Sequence, residues 1–188
     1  MVEALTRALL RPLLLLALLA CPSAGFAHRL DEYLQATLVT IEPQSVRLQI
    51  NLTPGVAVAD RILALIDRDR DGVISPKEAA AYAELLRRDL VVRLDQRKVE
   101  LKLTASHFPA AAELRTGEGI IQLEFSTTPG PVTAGLHELS LENRHLPTLS
   151  VYLVNAALPR SGSIQIGKQE RNANQSVGKI EFAVHPPR

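Results

Sequence analysis

The run Asp67-Arg68-Asp69-Arg70-Asp71-Gly72-Val73-Ile74-Ser75-Pro76-Lys77-Glu78 restricts this chain more than any other stretch. Three carboxylates stand on alternate residues, so they can converge on one side while Arg68 and Arg70 point away. Gly72 follows them, the residue type that turns sharply at positive φ without a clash. Ser75 and Glu78 add further oxygens. A hard cation that takes about six to eight oxygens at roughly 2.3–2.6 Å suits such a set, and calcium is the ion this pattern points to. Without a cation, four carboxylates so close in sequence repel one another. A plain surface run would need the acids, the glycine and the apolar residue to fall in register by chance.

Both flanks read as helices. Upstream, Val56 to Ile66 carries Val58, Ile62, Leu65 and Ile66 at helical spacing. Downstream, Ser75 is a capping residue, Pro76 takes the first helical position, and Glu78 stands three residues past the cap. That helix runs through Ala79, Ala80, Ala83, Leu86 and Arg87 to about Asp89. Glu78 thus has two jobs open to it: ligand with metal bound, capping partner without. Elsewhere the period is two. Strands are expected over Asp31–Ile41 and Val46–Leu52, and over Leu90–Leu94 and Val99–Leu103, the latter two forming a hairpin around Asp95–Lys98. Further strands are expected at Ile121–Phe125, Leu139–Leu141, Val151–Val154, Ile164–Ile166 and Ile180–Val184. His107 to Gly117 is irregular, and Pro129-Gly130-Pro131 is a loop. About eight to ten strands with frequent turn signals predict a mainly β, α+β fold: an antiparallel β-sandwich interrupted by the helix pair between its second and third strands.

Residues 67–78 resemble the calcium loop of the EF-hand family at each diagnostic position. The resemblance implies that Asp67, Asp69 and Asp71 ligate through side chains, Val73 through its carbonyl, Ser75 directly or through water, and Glu78 through both carboxylate oxygens. Ile74 would normally form a short β-pair with a second such loop, but no second acidic loop is present in the sequence. The expected partner surface of this single helix–loop–helix is therefore the sandwich itself. A broader resemblance covers His28–Thr37, Asn51–Val58, the loop, and Ser150–Asn155. These segments look like a bacterial exported EF-hand domain, often the extracytoplasmic part of membrane proteins related to the HupE/UreJ hydrogenase and urease accessory family. That resemblance implies a periplasmic calcium-binding module. A membrane partner, if one exists, would be a separate polypeptide.

The chain's beginning reads as a leader. Arg7 and Arg11 precede the apolar run Leu13–Ala20, and Gly25-Phe26-Ala27 supplies small residues at a cut before His28. The expected organisation is a signal peptide at 1–27, one domain at 28–185 with the insertion at 56–89, and a tail at 186–188, giving a periplasmic or secreted protein. Leu18-Leu19-Ala20-Cys21 offers a competing reading, a lipoprotein anchored through Cys21. The full chain has 21 basic and 20 acidic residues. Removing Glu3, Arg7 and Arg11 with the leader leaves equal numbers, which is no electrostatic footprint for nucleic acid. No later apolar run reaches spanning length. With 46% hydrophobic residues and no tryptophan, the core is expected to be aliphatic.

Other sites are weaker. A mature N-terminal His28 could chelate copper or nickel through its amine and imidazole, the alternative being a carrier of those metals or an accessory partner of a membrane metal-transport system. His137 is in phase with Leu139 and Leu141 and is expected to be a buried, satisfied histidine. His145 follows Asn143 and Arg144 ahead of Pro147 and reads as a surface turn. His107 and His185 read as solvated. Asn51 and Asn174 begin glycosylation-type tripeptides that a bacterial leader discounts. No nucleophile elbow or phosphate loop appears, so the expected role is non-catalytic.

Overall fold

The computed structural model describes residues 31–128 and 132–186. The signal-peptide reading of 1–27, Cys21 and His28 lie outside the described residues. The chain is mainly β. In order it forms β1 (Tyr33–Glu42), β2 (Ser45–Pro54), α1 (Val56–Ile66), α2 (Pro76–Asp89), β3 (Leu90–Leu94), β4 (Arg97–Val99), β5 (Lys102–His107), α3 (Ala111–Arg115), β6 (Ile121–Thr127), β7 (Gly135–Asn143), β8 (Ser150–Ala156), β9 (Ile164–Arg171) and β10 (Val177–Val184).

Two five-stranded sheets result. One has the order β5-β6-β2-β1-β8 and is mixed, because β8 runs parallel to β1 while its other pairs are antiparallel. The other, β4-β3-β7-β10-β9, is antiparallel throughout. Period-two alternation puts Val46, Leu48, Ile50 and Leu52 of β2, Ile121, Leu123 and Phe125 of β6, Leu139 and Leu141 of β7, and Ile180 and Phe182 of β10 into one hydrophobic cluster. Helix residues Val58, Ile62, Ile66, Tyr82 and Leu86 join the same cluster. Arg171 of β9 donates from Nε to the Val154 carbonyl at 2.6 Å, and the Ala156 amide donates to Gln169 at 3.2 Å. Side chains from one sheet therefore occupy backbone groups on the edge strand of the other, which would otherwise be open to further pairing. Gly178 of β10 lies so close to β8 that a Cβ there would stand 2.8 Å from a Val154 methyl.

Several expectations need correction. Val99–Leu103 is not one strand. Val99 ends β4 in one sheet, and Lys102 begins β5 in the other, paired with Ser126. Leu101, 6% exposed, turns into the core at the crossover. The apolar alternation Val99, Leu101, Leu103 thus spans a change of sheet. The hairpin turn is only Asp95-Gln96, both at positive φ (47° and 66°), which suits a two-residue loop. The irregular stretch after His107 contains the short helix α3. The strand at Ile164–Ile166 extends to Arg171.

Candidate metal centre

The helix pair falls between β2 and β3 as the sequence pattern predicts. Helix α1 closes on Asp67, whose amide donates to the Leu63 carbonyl at 2.8 Å. Helix α2 opens with a full capping box: the Glu78 amide donates to Ser75 Oγ at 3.4 Å, and the Ser75 amide donates to Glu78 Oε2 at 3.0 Å. Between them the chain curls. Arg70 and Gly72 both take positive φ, 61° and 84°. Nothing lies within 4 Å of a Cβ built on Gly72, so the glycine answers a backbone demand and not a steric one.

This curl brings Asp67, Asp69 and Asp71 together, with one carboxylate oxygen from each lying within 4.8 Å of the others. Amides of the loop hold them in place. Gly72 donates to Asp67 Oδ2 at 3.0 Å, Val73 to Asp71 Oδ1 at 2.7 Å, and Asp71 to Asp69 Oδ1 at 3.3 Å. Asp69 and Asp71 are exposed, but Asp67 is only 5% exposed. Its Oδ1 is buried and has no hydrogen-bond partner among the described residues. A buried carboxylate oxygen without a partner is costly, and Asp67 is a member of the cluster. At 4.8 Å each pair of charges repels by about 1 kcal/mol in water, rising to roughly 3.5 kcal/mol at an effective dielectric of 20. A cation would remove both penalties. The donor set, all carboxylate oxygen, suits a hard ion.

Glu78 does not join that cluster. Its Oε1 accepts from the Arg68 amide at 2.7 Å, and its Oε2 from Ser75 Oγ at 2.8 Å. The Ser75 hydroxyl, the Ser75 amide and the Arg68 amide hold its carboxyl down to about 2 against partial burial. Glu78 therefore already bridges the two ends of the loop. Val73 is 65% exposed, and Ile74 packs against the core instead of a second loop.

A second polar cluster, missed by the sequence reading, lies beyond Glu78 along α2. His145 was expected in a surface turn, but it is fully buried. The turn folds inward through Leu146 at φ 50°, and every polar group of His145 finds a protein partner. Nδ1 lies 2.7 Å from Asp89 Oδ2, and Nε2 lies 3.1 Å from the Tyr82 hydroxyl. The His145 carbonyl accepts from Gln35, Ser150 and Tyr152. Its amide donates to Asn143 Oδ1, and Asn143 Nδ2 donates to Gln35 Oε1. Tyr33 and Tyr82 hydroxyls are 2.7 Å apart. All three tyrosines of the chain belong to this network. Burial pushes the tyrosine hydroxyls up and the His145 imidazole down, Asp89 acting against the latter. A readable signal existed: Gln35 and Thr37 share the inward parity of Tyr33 and Val39, and Asn143 that of Leu139 and Leu141.

The other described histidines, His107, His137 and His185, are as expected. His137 is mostly buried and bonded to Asp95 and the Thr133 carbonyl, both at 2.8 Å. His107 and His185 are exposed. Among the described residues no helix is long and apolar enough to cross a membrane. No protein-family model matches the chain, and no curated protein matches it.

Proposed function

We propose that this protein is an exported calcium-binding module, a β-sandwich carrying a single inserted EF-hand that stabilises or presents a non-catalytic binding surface. The observation that carries this reading is the Asp67–Asp69–Asp71 carboxylate cluster, whose member Asp67 also has a buried oxygen, Oδ1, without a hydrogen-bond partner among the described residues. Asp67, Asp69, Asp71, the Val73 carbonyl, Ser75 and Glu78 would hold the ion. Calcium supplies charge neutralisation there, and the gain is stability. The leader-like start of the sequence supports export, and weak sites of about 10⁻⁴–10⁻³ M suffice where calcium is plentiful.

Thermal unfolding in EDTA, calcium and magnesium tests the reading. Calcium at a hundredfold excess over its dissociation constant should add about 2.7 kcal/mol, seen as a raised midpoint. Asp67→Asn and Glu78→Gln should each abolish the shift. An unmoved midpoint, or a shift that survives both substitutions, refutes calcium binding at this loop.

A further inference from the structure

The polar network around His145 grips the helix that carries Glu78. Glu78, Tyr82, Leu86 and Asp89 follow one another at helical spacing along a single face of α2. Glu78, Tyr82 and Leu86 are buried there. Tyr82 is tied to Tyr33 on β1 and, with Asp89, to His145 in the turn between β7 and β8. The grip on α2 and the position of Glu78 are therefore properties of one rigid rod.

The hydrogen bonds in this chain have a direction. Asp89 accepts at Nδ1, so Nδ1 carries the imidazole proton and Nε2 is the acceptor. The Tyr82 hydroxyl then donates to Nε2 and accepts from Tyr33. Each polar atom is satisfied once, in one sense, with a neutral ring. A second proton on the ring makes Nε2 a donor. Tyr82 must then turn its own proton onto the Tyr33 oxygen, and Tyr33 must release its proton elsewhere. Among the described residues Tyr33 has no other hydrogen-bond partner for that hydroxyl. The charged ring thus leaves a buried donor unpaired, which is the costly outcome.

We propose that the Tyr33–Tyr82–His145–Asp89 chain is an acid-released latch, which holds α2 in the calcium-binding position while His145 is neutral and frees it when His145 takes a second proton. The inference rests on the calcium reading of the loop. The groups facing His145 are Tyr82 and Asp89 from α2, Tyr33 and Gln35 from β1, Asn143 from β7, and Ser150 and Tyr152 from β8. Asp89 is the one charged member of that set. The neighbouring Arg144 guanidinium is engaged by Glu142 at 2.7 Å. Calcium and the second proton then exclude each other, and the coupling is reciprocal: acid weakens calcium, and calcium makes His145 harder to protonate.

Calorimetric titration of the purified protein with calcium chloride, from about pH 7.5 to 5, tests this, because His is the side chain whose charge changes in that window. Below the latch midpoint the dissociation constant should rise by up to about tenfold per pH unit, the signature of one coupled proton. His145→Gln, which keeps the loop carboxylates and so supplies their background, should flatten the profile. Asp89→Asn should move the midpoint to lower pH, since it removes the charge that favours the imidazolium. Histidine NMR should show the His145 midpoint falling on calcium addition. A wild-type profile that matches His145→Gln, or an unmoved midpoint in Asp89→Asn, overturns the latch and leaves the calcium reading intact. Absence of calcium binding at about pH 7.5, where the latch is closed, overturns the calcium reading and the latch with it.

Discussion

Replacing Tyr82 by phenylalanine removes one oxygen from a residue that is 1% exposed. That oxygen stands between two fully buried groups, the Tyr33 hydroxyl at 2.7 Å and His145 Nε2 at 3.1 Å. Its loss leaves Tyr33 with a donor and His145 with an acceptor that have nothing to bond. Each such orphan costs about 1–3 kcal/mol, and relaxation recovers part, so a total of roughly 2–4 kcal/mol is expected. Tyr33→Phe is the informative control. It removes only the donor at the head of the chain, and Tyr82 still donates to His145. Its cost should be nearer ~1 kcal/mol, that of a single hydrogen bond. The double variant should cost less than the two single variants added, because deleting both partners leaves one orphan, Nε2, where Tyr82→Phe leaves two. Urea unfolding in EDTA measures all three, with unchanged denaturant slopes required for the comparison. For a domain of this size, Tyr82→Phe should also lower the thermal midpoint by about 4–16 °C. Equal costs for the two single variants, or a larger one for Tyr33→Phe, would refute the donor order and with it the neutral Nδ1–H ring.

Two further outcomes follow from the fold and the loop. Gly178→Ala should destabilise by about 1–3 kcal/mol, since its methyl would meet a stiff, buried Val154 at 2.8 Å; unfolding by urea reads the loss, and an unchanged midpoint would refute the close approach of β10 to β8. Acid should erode metal-free stability in two stages. His145, depressed below 6.5, contributes fully above that value and less as pH falls beneath it; Glu78, depressed from 4.5 to about 2, contributes fully above 4.5 and loses its share as pH falls towards 2. Stability followed against pH should lose the upper stage in His145→Gln, while Glu78→Gln should shrink the lower stage, which Glu84, also held down to about 2 by Arg87, shares.

What was legible in the sequence was local. The limits of α1, the capping box on α2 and the convergence of Asp67, Asp69 and Asp71 depend on residues within a turn or two of one another, so spacing carries them. Alternation placed most strands, because the period of two is a property of each strand alone. It failed at Leu101, where the same alternation continues through a crossover between sheets, and the pattern cannot register which sheet a residue pairs with. It failed at His145 for a related reason. Asn143, Arg144, His145 and Pro147 have the composition of an exposed turn, and the partners that bury the ring, Tyr33, Tyr82 and Asp89, lie 112, 63 and 56 residues away in sequence. Yet the polar residues at inward parity were a visible anomaly. Gln35, Thr37 and Asn143 occupy positions that alternation assigns to the core, and a buried polar side chain needs a partner. Two of these, Gln35 and Asn143, stand on strands of different sheets and therefore predict a shared polar centre between them, and the element that must complete it is whichever one can offer several donors and acceptors on a single face. Helix α2, with Tyr82 and Asp89 at helical spacing from Glu78, is such an element. The acidic loop and the buried network are on this account not two features of the fold but the two ends of one helix.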